Sequence, residues 1–209
     1  MKNYFVSGIG TDVGKTIASA IVVEALEADY WKPIQAGELN NTDTMKVRSL
    51  ISNNKSVLHT ERYLLSQPQS PHAAAANDGI EIDIKAIQIP ETNNALIIEG
   101  AGGLMVPLNN KYLVIDLIQQ LKAEVILVSQ NYLGSINHTL LSVEALKGRN
   151  IPIAGIIFNG KQNKASEEFI LNYTGLHCIL RIEEETELTK ETVLRYKNKV
   201  KPVLLNNLQ

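Results

Sequence analysis

Cysteine is almost absent from this sequence, since Cys178 is the single one among 209 residues. An internal disulfide is therefore excluded, and such low cysteine usage is typical of a protein from a reducing cytoplasm. Cys178 lies in an apolar stretch, where we expect a buried, unreactive thiol rather than a nucleophile.

Strong net charge and long apolar runs are also lacking. The formal charge of −2 gives no electrostatic basis for binding nucleic acid or an anionic membrane, and no apolar run approaches the length of a membrane span. Because Met1 and Lys2 lead directly into strand-like sequence, we expect no secretory signal. The sequence thus predicts a cytoplasmic protein, and a small anionic ligand would have to be held by local groups.

Short apolar runs alternate with helix-like segments along the chain, and the runs are mostly rich in Val and Ile. This alternation is typical of a parallel sheet whose strands are covered on both faces. It predicts one α/β domain over residues 1–209, and the segment 80–89 fits either a strand or a helix. The predicted strands are Tyr4–Val6, Ala95–Ile98, Val125–Val128 and Ile153–Phe158. The predicted helices are Lys15–Ala28, Tyr112–Lys122, Ser135–Arg149, Lys164–Tyr173 and a last one from about Leu188 to Lys199.

The stretch "GIGTDVGKT" (Gly8–Thr16) stands between the first predicted strand and the first predicted helix. This is the context of a P-loop, in which backbone N–H groups and a helix N-terminus surround phosphate oxygens. Lys15 would supply a point charge to the β- and γ-phosphates, and the Thr16 hydroxyl suits a magnesium ion. The spacing departs from the common pattern, because Ile9 stands where a glycine is usual. The alternative is a glycine-rich loop with a solvated lysine.

Four polar residues follow other predicted strands. Lys32 lies in a second predicted strand, Asp29–Gly37, whose pairing Pro33 should terminate, and it could equally be a surface lysine. Glu99 closes an apolar strand, where an unpaired carboxylate is unexpected. Asp43 suits the N-cap of a helix over Thr44–Ile51. Asn159 is either a ligand-binding amide or a turn residue.

Four motifs together resemble the dethiobiotin synthetases, a family of P-loop enzymes. They follow the family order between Gly8 and Asn159: "GTDVGKT", "YWKPIQAG", "IIEGAGGLMVPL" and "LGSINHTLLSVEAL". The resemblance implies a three-layer, P-loop NTPase-like α/β fold, with a mostly parallel sheet flanked by helices.

The resemblance also implies an ATP-dependent cyclo-ligase of biotin biosynthesis. The substrate would be 7,8-diaminopelargonate, of which one amine takes up CO2 to form a carbamate. ATP phosphorylates the carbamate, and the second amine then closes a ureido ring with loss of phosphate. ADP, phosphate and dethiobiotin are the products, and Mg²⁺ is the implied cofactor.

The same resemblance assigns residue roles. The catalytic residues would be Lys15, Lys32 and Thr11. The magnesium ligands would be Thr16, Asp43 and Glu99. Nucleotide would contact Gly10, Asp12, Val13, Gly14, Lys15, Thr16, Ile17, Glu99, Gly100, Ala101, Gly102 and Asn159. Substrate would contact Thr11, Lys32, Gly102, Ser135, Ile136 and Asn137.

The substrate's carboxylate would lie at the helix N-terminus that "GSINH" opens, because free N–H groups there favour an anion. In the family this seat belongs to the partner subunit, so the resemblance implies a homodimer with shared sites. Ser135 could also simply cap the helix. Ala36 and Phe169 depart from residues found in relatives and leave the fine substrate contacts open.

Two other P-loop classes compete with this interpretation. Amide ligases that act on corrinoid precursors carry a glutaminase domain with a nucleophilic cysteine, and Cys178 has no such setting. Partitioning and septum-placing ATPases carry an additional lysine early in the P-loop, which Ile9 and Gly10 do not supply. Both alternatives fit the sequence less well.

Overall fold

The computed structural model describes residues 2–206, and within them seven parallel strands form one sheet in the order β4-β2-β6-β1-β7-β8-β9. The strands are β1 (Asn3–Gly8), β2 (Asp29–Trp31), β3 (Ile34–Ala36), β4 (Leu58–His59), β5 (Tyr63–Leu65), β6 (Leu96–Gly103), β7 (Glu124–Gln130), β8 (Ile153–Asn159) and β9 (Cys178–Ile182). The helices are α1 (Lys15–Leu26), α2 (Asp43–Leu50), α3 (Pro71–Asn77), α4 (Val114–Leu121), α5 (Ser135–Gly148), α6 (Lys164–Thr174) and α7 (Lys190–Asn206). The predicted α/β class is confirmed.

Helices cover both faces of the sheet, because successive strand residues point to opposite sides. On β1, Tyr4 and Val6 join a core with α1, α2 and α7, whereas Phe5 joins a core with α4, α5 and α6. The central strands are almost wholly buried, which explains their continuous Val and Ile runs. The sheet therefore forms the middle of three layers, with its carboxyl ends at one edge.

The predicted second strand is divided in two. β2 pairs with β6 in the main sheet, whereas β3 pairs with β5 in a separate two-stranded sheet. Pro33 lies between them and has no N–H to donate, although its carbonyl accepts from the N–H groups of Arg62 and Tyr63. The chain changes sheets at Lys32 and Pro33, and this break leaves Lys32 at a strand end.

The segment 80–89, which the sequence left open, is neither a strand nor an α-helix. It contains one 3-10 turn, Ile84–Ala86, in which the Lys85 N–H donates to the Asp83 side chain. Ile82 and Ile87 are fully buried. Burial of these isoleucines holds an irregular segment against the core. The spacing of the isoleucines alone does not predict such a segment.

Several helix ends differ from the prediction by a few residues. α1 ends at Leu26 because Glu27 takes a left-handed conformation, and α4 begins only at Val114, where the Asp116 carboxylate accepts from the Leu113 N–H. Cys178 is half-buried rather than buried, and burial is the main cause that raises the pKa of its thiol. No helix between residues 2 and 206 has both the length and the apolarity needed to cross a membrane.

Glu24 fastens three elements on one face of the sheet. It lies on α1 at 1% exposure and accepts from the N–H groups of Ser52 and Asn53, which follow α2, and from Lys197 of α7. Burial by itself would raise the pKa of Glu24, but these donors hold it below its usual value of 4.5. The carboxylate is therefore charged and fully paired in the folded protein.

We predict that Glu24→Gln lowers the free energy of unfolding by about 2 kcal/mol at neutral pH, because charged hydrogen bonds are lost. Since the folded pKa lies below the unfolded one, the difference should shrink as the pH falls below 4.5. Urea unfolding at several pH values measures both effects. The control Glu168→Gln, in an exposed pair with Lys164, should change stability by less than about 0.5 kcal/mol. Equal effects of the two variants would contradict the prediction.

Candidate active site

The loop between β1 and α1 is shaped to surround an anion. Gly14 caps α1 at φ 93° and provides no side-chain cap, and Asp12 is also left-handed at φ 58°. The Lys15 ammonium folds back and donates to the carbonyl of Gly10 at 3.2 Å. Burial lowers the pKa of Lys15, the Glu99 carboxylate opposes this effect, and the Lys32 ammonium adds to it.

The loop is locked to the end of β8. The Asn159 side-chain amide donates to the carbonyl of Val13 at 3.0 Å. A Cβ atom at Gly14 would lie 2.1 Å from the same amide nitrogen. A side chain at position 14 is thus excluded both by the left-handed backbone and by Asn159.

Glu99 is the meeting point of three elements. It lies on β6, between β1 and β2, and is 1% exposed. Its Oε1 accepts from Thr16 Oγ1 of α1 at 2.9 Å and from Lys32 Nζ at 3.1 Å. Its Oε2 accepts from the hydroxyl of Tyr30 on β2 at 2.9 Å. Burial and then the Glu99 charge raise the pKa of Tyr30 well above its usual value, so the phenol donates as a neutral group.

Lys32 lies between two carboxylates. Its ammonium donates to Glu99 and to Asp43, and the residue is 5% exposed. Burial by itself disfavours the charge, but Glu99 and Asp43 outweigh it and raise the pKa of Lys32. Lys32 is therefore a fixed cation, and it lines the same cleft as Lys15.

Asp43 is the first residue of α2 and not its N-cap, so the capping alternative was wrong. Thr42 is the N-cap and accepts from the Met45 N–H at 3.2 Å. The Asp43 carboxylate is thus available to contact Lys32 and Lys46. Burial would raise the pKa of Asp43, but the two lysines hold it below its usual value.

These groups line a cleft of about 700 Å³ at the carboxyl edge of the sheet. Its polar lining includes Thr11, Asp12, Gly14, Lys15, Thr16, Lys32, Gln35, Glu38, Asp43, Lys46, Gln69, Ser70 and Glu99. Its apolar lining includes Ile17, Ile34, Ala36, Pro68, Pro71, Ala101, Gly102, Val106 and Leu188. The cleft therefore combines fixed cations with apolar surface, which suits a phosphorylated group beside a partly aliphatic chain.

Comparison with known proteins identifies the family. Residues 2–192 match a family model described as an AAA domain. An ATP-dependent dethiobiotin synthetase of Cytophaga hutchinsonii is 56% identical over 94% of this chain and 95% of that protein. One from Christiangramia forsetii is 55% identical over 95% of each chain.

This chain belongs to the ATP-dependent dethiobiotin synthetase family. Solved structures show the same fold at low identity. A plasmid partition protein of Borrelia burgdorferi has a TM-score of 0.62 at 14% identity, covering 98% of both chains. The cell division ATPase MinD of Pyrococcus furiosus has a TM-score of 0.58 at 13% identity, covering all of both chains. The P-loop ATPase architecture is thereby confirmed for the synthetase chain.

The remaining predicted residues of the synthetase lie outside the described cleft. Gly10, Val13 and Asn159 form and support the loop. Gly100 packs against Phe5, because a Cβ atom there would approach its ring to 2.6 Å. Ser135, Ile136 and Asn137 start α5, whose N-cap is Gly134 at φ 104°, so Ser135 does not cap the helix.

A divalent cation would find hard oxygen donors in the synthetase cleft. Thr16 Oγ1 and Glu99 Oε1 are 2.9 Å apart, and Lys32 joins Glu99 to the Asp43 carboxylate. Residues 2–206 contain no group of three or more His, Cys, Asp or Glu side chains arranged for a metal. The donor set fits Mg²⁺ in the manner of P-loop proteins, in which phosphate and water oxygens supply the other ligands.

Several polar residues in or behind the synthetase cleft were not predicted from the sequence. Tyr30 contacts Glu99, Gln35 accepts from the Asp43 N–H at 3.2 Å, and Lys46 contacts Asp43 and Glu38. Tyr30 precedes Lys32 by two residues, a spacing that places both on one side of an extended strand. That signal was present, whereas the contacts of Gln35 and Lys46 depend on the fold.

We predict that Gly14→Ala weakens ADP binding by about tenfold or more, because strain at positive φ and the clash with Asn159 distort the loop. Isothermal titration calorimetry measures the affinity. Gly148→Ala is the control, since a Cβ atom at Gly148 meets nothing within 4 Å and the fold is unaffected. Equal ADP affinity in the two variants would show that the loop tolerates a side chain.

Proposed function

We propose that this chain catalyses the ATP-dependent conversion of 7,8-diaminopelargonate and CO2 to dethiobiotin, with ADP and phosphate as the other products. The observation that carries the proposal is the pair of buried or nearly buried lysines, Lys15 and Lys32, on one cleft. Identities of 56% and 55% over almost the whole chain support the same assignment.

The reaction begins when one amine of the substrate attacks CO2 and forms a carbamate. A carbamate oxygen then attacks the γ-phosphorus of ATP, and ADP leaves. The second amine attacks the carbonyl carbon of the resulting carbamic-phosphoric anhydride, and phosphate leaves as the ring closes. Each step gathers negative charge in one place, so catalysis there depends on positioning and on preorganised positive charge.

Residues of the cleft suit these tasks. Lys15 lies in the loop that would hold the β- and γ-phosphates, and Lys32, kept protonated by two carboxylates, would neutralise the carbamate and the transferring group. Thr11 is exposed on the cleft wall as a hydroxyl donor for the carbamate or the γ-phosphate. Gly102 places backbone beside Thr11, where substrate would pass.

Magnesium is the cofactor that we propose for the nucleotide. Thr16, Asp43 and Glu99 would hold it, and a bound ion would neutralise phosphate charge. Nucleotide would contact the loop from Gly10 to Ile17 and the strand end from Glu99 to Gly102. Asn159 would recognise the adenine, for which its amide offers both a donor and an acceptor.

We further propose that the enzyme acts in the cytoplasm as a single unit over residues 1–209. The single cysteine and the net charge of −2 support a reducing compartment and a role without nucleic acid or membrane partners. The partition and cell division ATPases share only the fold, at 8–14% identity. A switch-type ATPase would hydrolyse ATP without any need for the diamine.

We predict that phosphate release from ATP, Mg²⁺ and bicarbonate requires 7,8-diaminopelargonate, and that Lys32→Ala lowers kcat by about 100-fold or more. Its charge acts on the transferring group, so ADP affinity should stay within about threefold. A coupled phosphate assay and calorimetry measure the two quantities. Lys55→Ala, which removes an exposed lysine paired with Glu27, is the control.

One result would contradict this assignment, and another would contradict only the role of Lys32. If phosphate is released at the same rate with and without the diamine, an amide ligase or a switch ATPase with the same fold is favoured. Diamine-dependent turnover of Lys32→Ala within a few-fold of Lys55→Ala would keep the activity and remove Lys32 from the mechanism.

We also propose a homodimer with shared sites. The start of α5 carries no side-chain cap, so its N–H groups can hold the substrate carboxylate, and it does not line the described cleft of its own chain. Leu133 is fully exposed beside it and Tyr132 is 43% exposed. Ser135, Ile136 and Asn137 would then complete the site of the partner.

We predict that two inactive variants complement each other. Asn137→Asp should repel the substrate carboxylate, and Lys32→Ala should disable the chemistry. Equal mixing, with subunit exchange, places one intact site in each mixed dimer and restores about a quarter of wild-type activity. Steady-state assays of the mixture measure this. Activity no higher than the mean of the two variants would show that each site lies within one chain.

A further inference from the structure

Tyr30 is a buried phenol whose hydroxyl is directed at the site. It lies on β2, is fully buried, and pairs in register with Ile97 of the neighbouring β6. Its ring belongs to an apolar cluster with Ile97 and residues of α1. Its hydroxyl donates to Glu99, two residues further along β6, at 2.9 Å. A buried hydroxyl needs such a partner, so this contact fixes the ring and the carboxylate together.

The two oxygens of Glu99 have separate tasks. Oε1 accepts from Thr16 and Lys32, both of which line the cleft. Oε2 accepts from Tyr30, which lies behind the carboxylate and does not line the described cleft. Turning the carboxylate plane would break the contact with Tyr30, so the phenol favours the orientation that presents one oxygen to Thr16 and Lys32.

We infer that Tyr30 is a positioning residue of the synthetase reaction, which fixes Glu99 for the metal–nucleotide complex and for Lys32 without touching either substrate. The inference rests on the proposed role of Glu99 as a magnesium ligand. Groups that hold a ligating carboxylate from behind tune metal affinity through geometry. A purely structural tyrosine would instead affect folding stability alone.

A matched control lies on the next strand. Tyr4 of β1 is also buried, belongs to the same apolar cluster and pairs with the same Ile97 of β6. Its ring lies near the Lys2 ammonium, 5.3 Å from the ring centroid, and it has no contact with Glu99 among those that the described residues make. Tyr4→Phe and Tyr30→Phe therefore remove the same atom from the same core.

The test measures Mn²⁺ binding to the protein–ADP complex by electron paramagnetic resonance, beside the Mg²⁺ dependence of kcat. Tyr30→Phe should weaken Mn²⁺ binding by about tenfold or more and raise the half-saturating Mg²⁺ concentration equally. Metal-free ADP affinity should stay within about twofold, because no loop contact changes. Tyr4→Phe should leave all three quantities unchanged.

A second replacement keeps the test decisive if Tyr30→Phe folds poorly. Replacing Tyr30 with 4-aminophenylalanine retains a donor at the same place, and metal affinity should return to within about threefold of wild type. All binding is measured at temperatures where unfolding curves show each variant fully folded. Rescue by the donor supports a directional contact, since packing alone would not distinguish the two replacements.

Two outcomes would overturn the inference. One leaves the proposed metal role of Glu99 intact, and the other removes it. If Glu99→Gln weakens Mn²⁺ binding while Tyr30→Phe behaves like Tyr4→Phe, Tyr30 has no positioning role and the proposed metal site stands. If neither Glu99→Gln nor Tyr30→Phe changes Mn²⁺ binding, the metal role of Glu99 fails, and the positioning role fails with it.

Discussion

The buried carboxylate of Glu99 is the constraint on which the site depends. A charge at 1% exposure is stable only when donors surround it, and here they come from α1, from β2 and from the break after β2. Thr16, Tyr30 and Lys32 lie 83, 69 and 67 residues from Glu99 in sequence, so the site forms only when β1, β2 and β6 are assembled. The site is thus a product of the folded sheet rather than of any one segment.

Two lysines of the cleft are paired with carboxylates of the protein. Lys32 lies between Glu99 and Asp43, and Lys46 pairs with Asp43 and Glu38. These pairs avoid the cost of burying two unpaired ammonium groups, whereas Lys15, within the described residues, donates only to the Gly10 carbonyl. A ligand rich in negative charge would enter a field that is preset by paired groups rather than by a net excess of lysines.

The sequence predicted the fold class and the phosphate loop well, since both depend on local patterns: buried Val and Ile runs, and glycines between a strand and a helix. Contacts between distant segments were harder to predict. The chain's change of sheet at Pro33 depends on β5, which the sequence did not reveal. The cap of α2 depended on Thr42 rather than Asp43, although both residue types suit that position. The role of Tyr30 was not predicted, because the contact of its hydroxyl is with a residue 69 positions away.

The hydrogen bond between Asn159 and the loop has a consequence for the thermodynamics of phosphate binding. Since the amide holds the Val13 carbonyl and fills the space beside Gly14, contacts with β8 restrain the loop. Little backbone entropy is then lost when phosphate enters, so more of the contact energy remains as affinity. Phosphate would then enter a loop whose shape the contact with β8 already restrains.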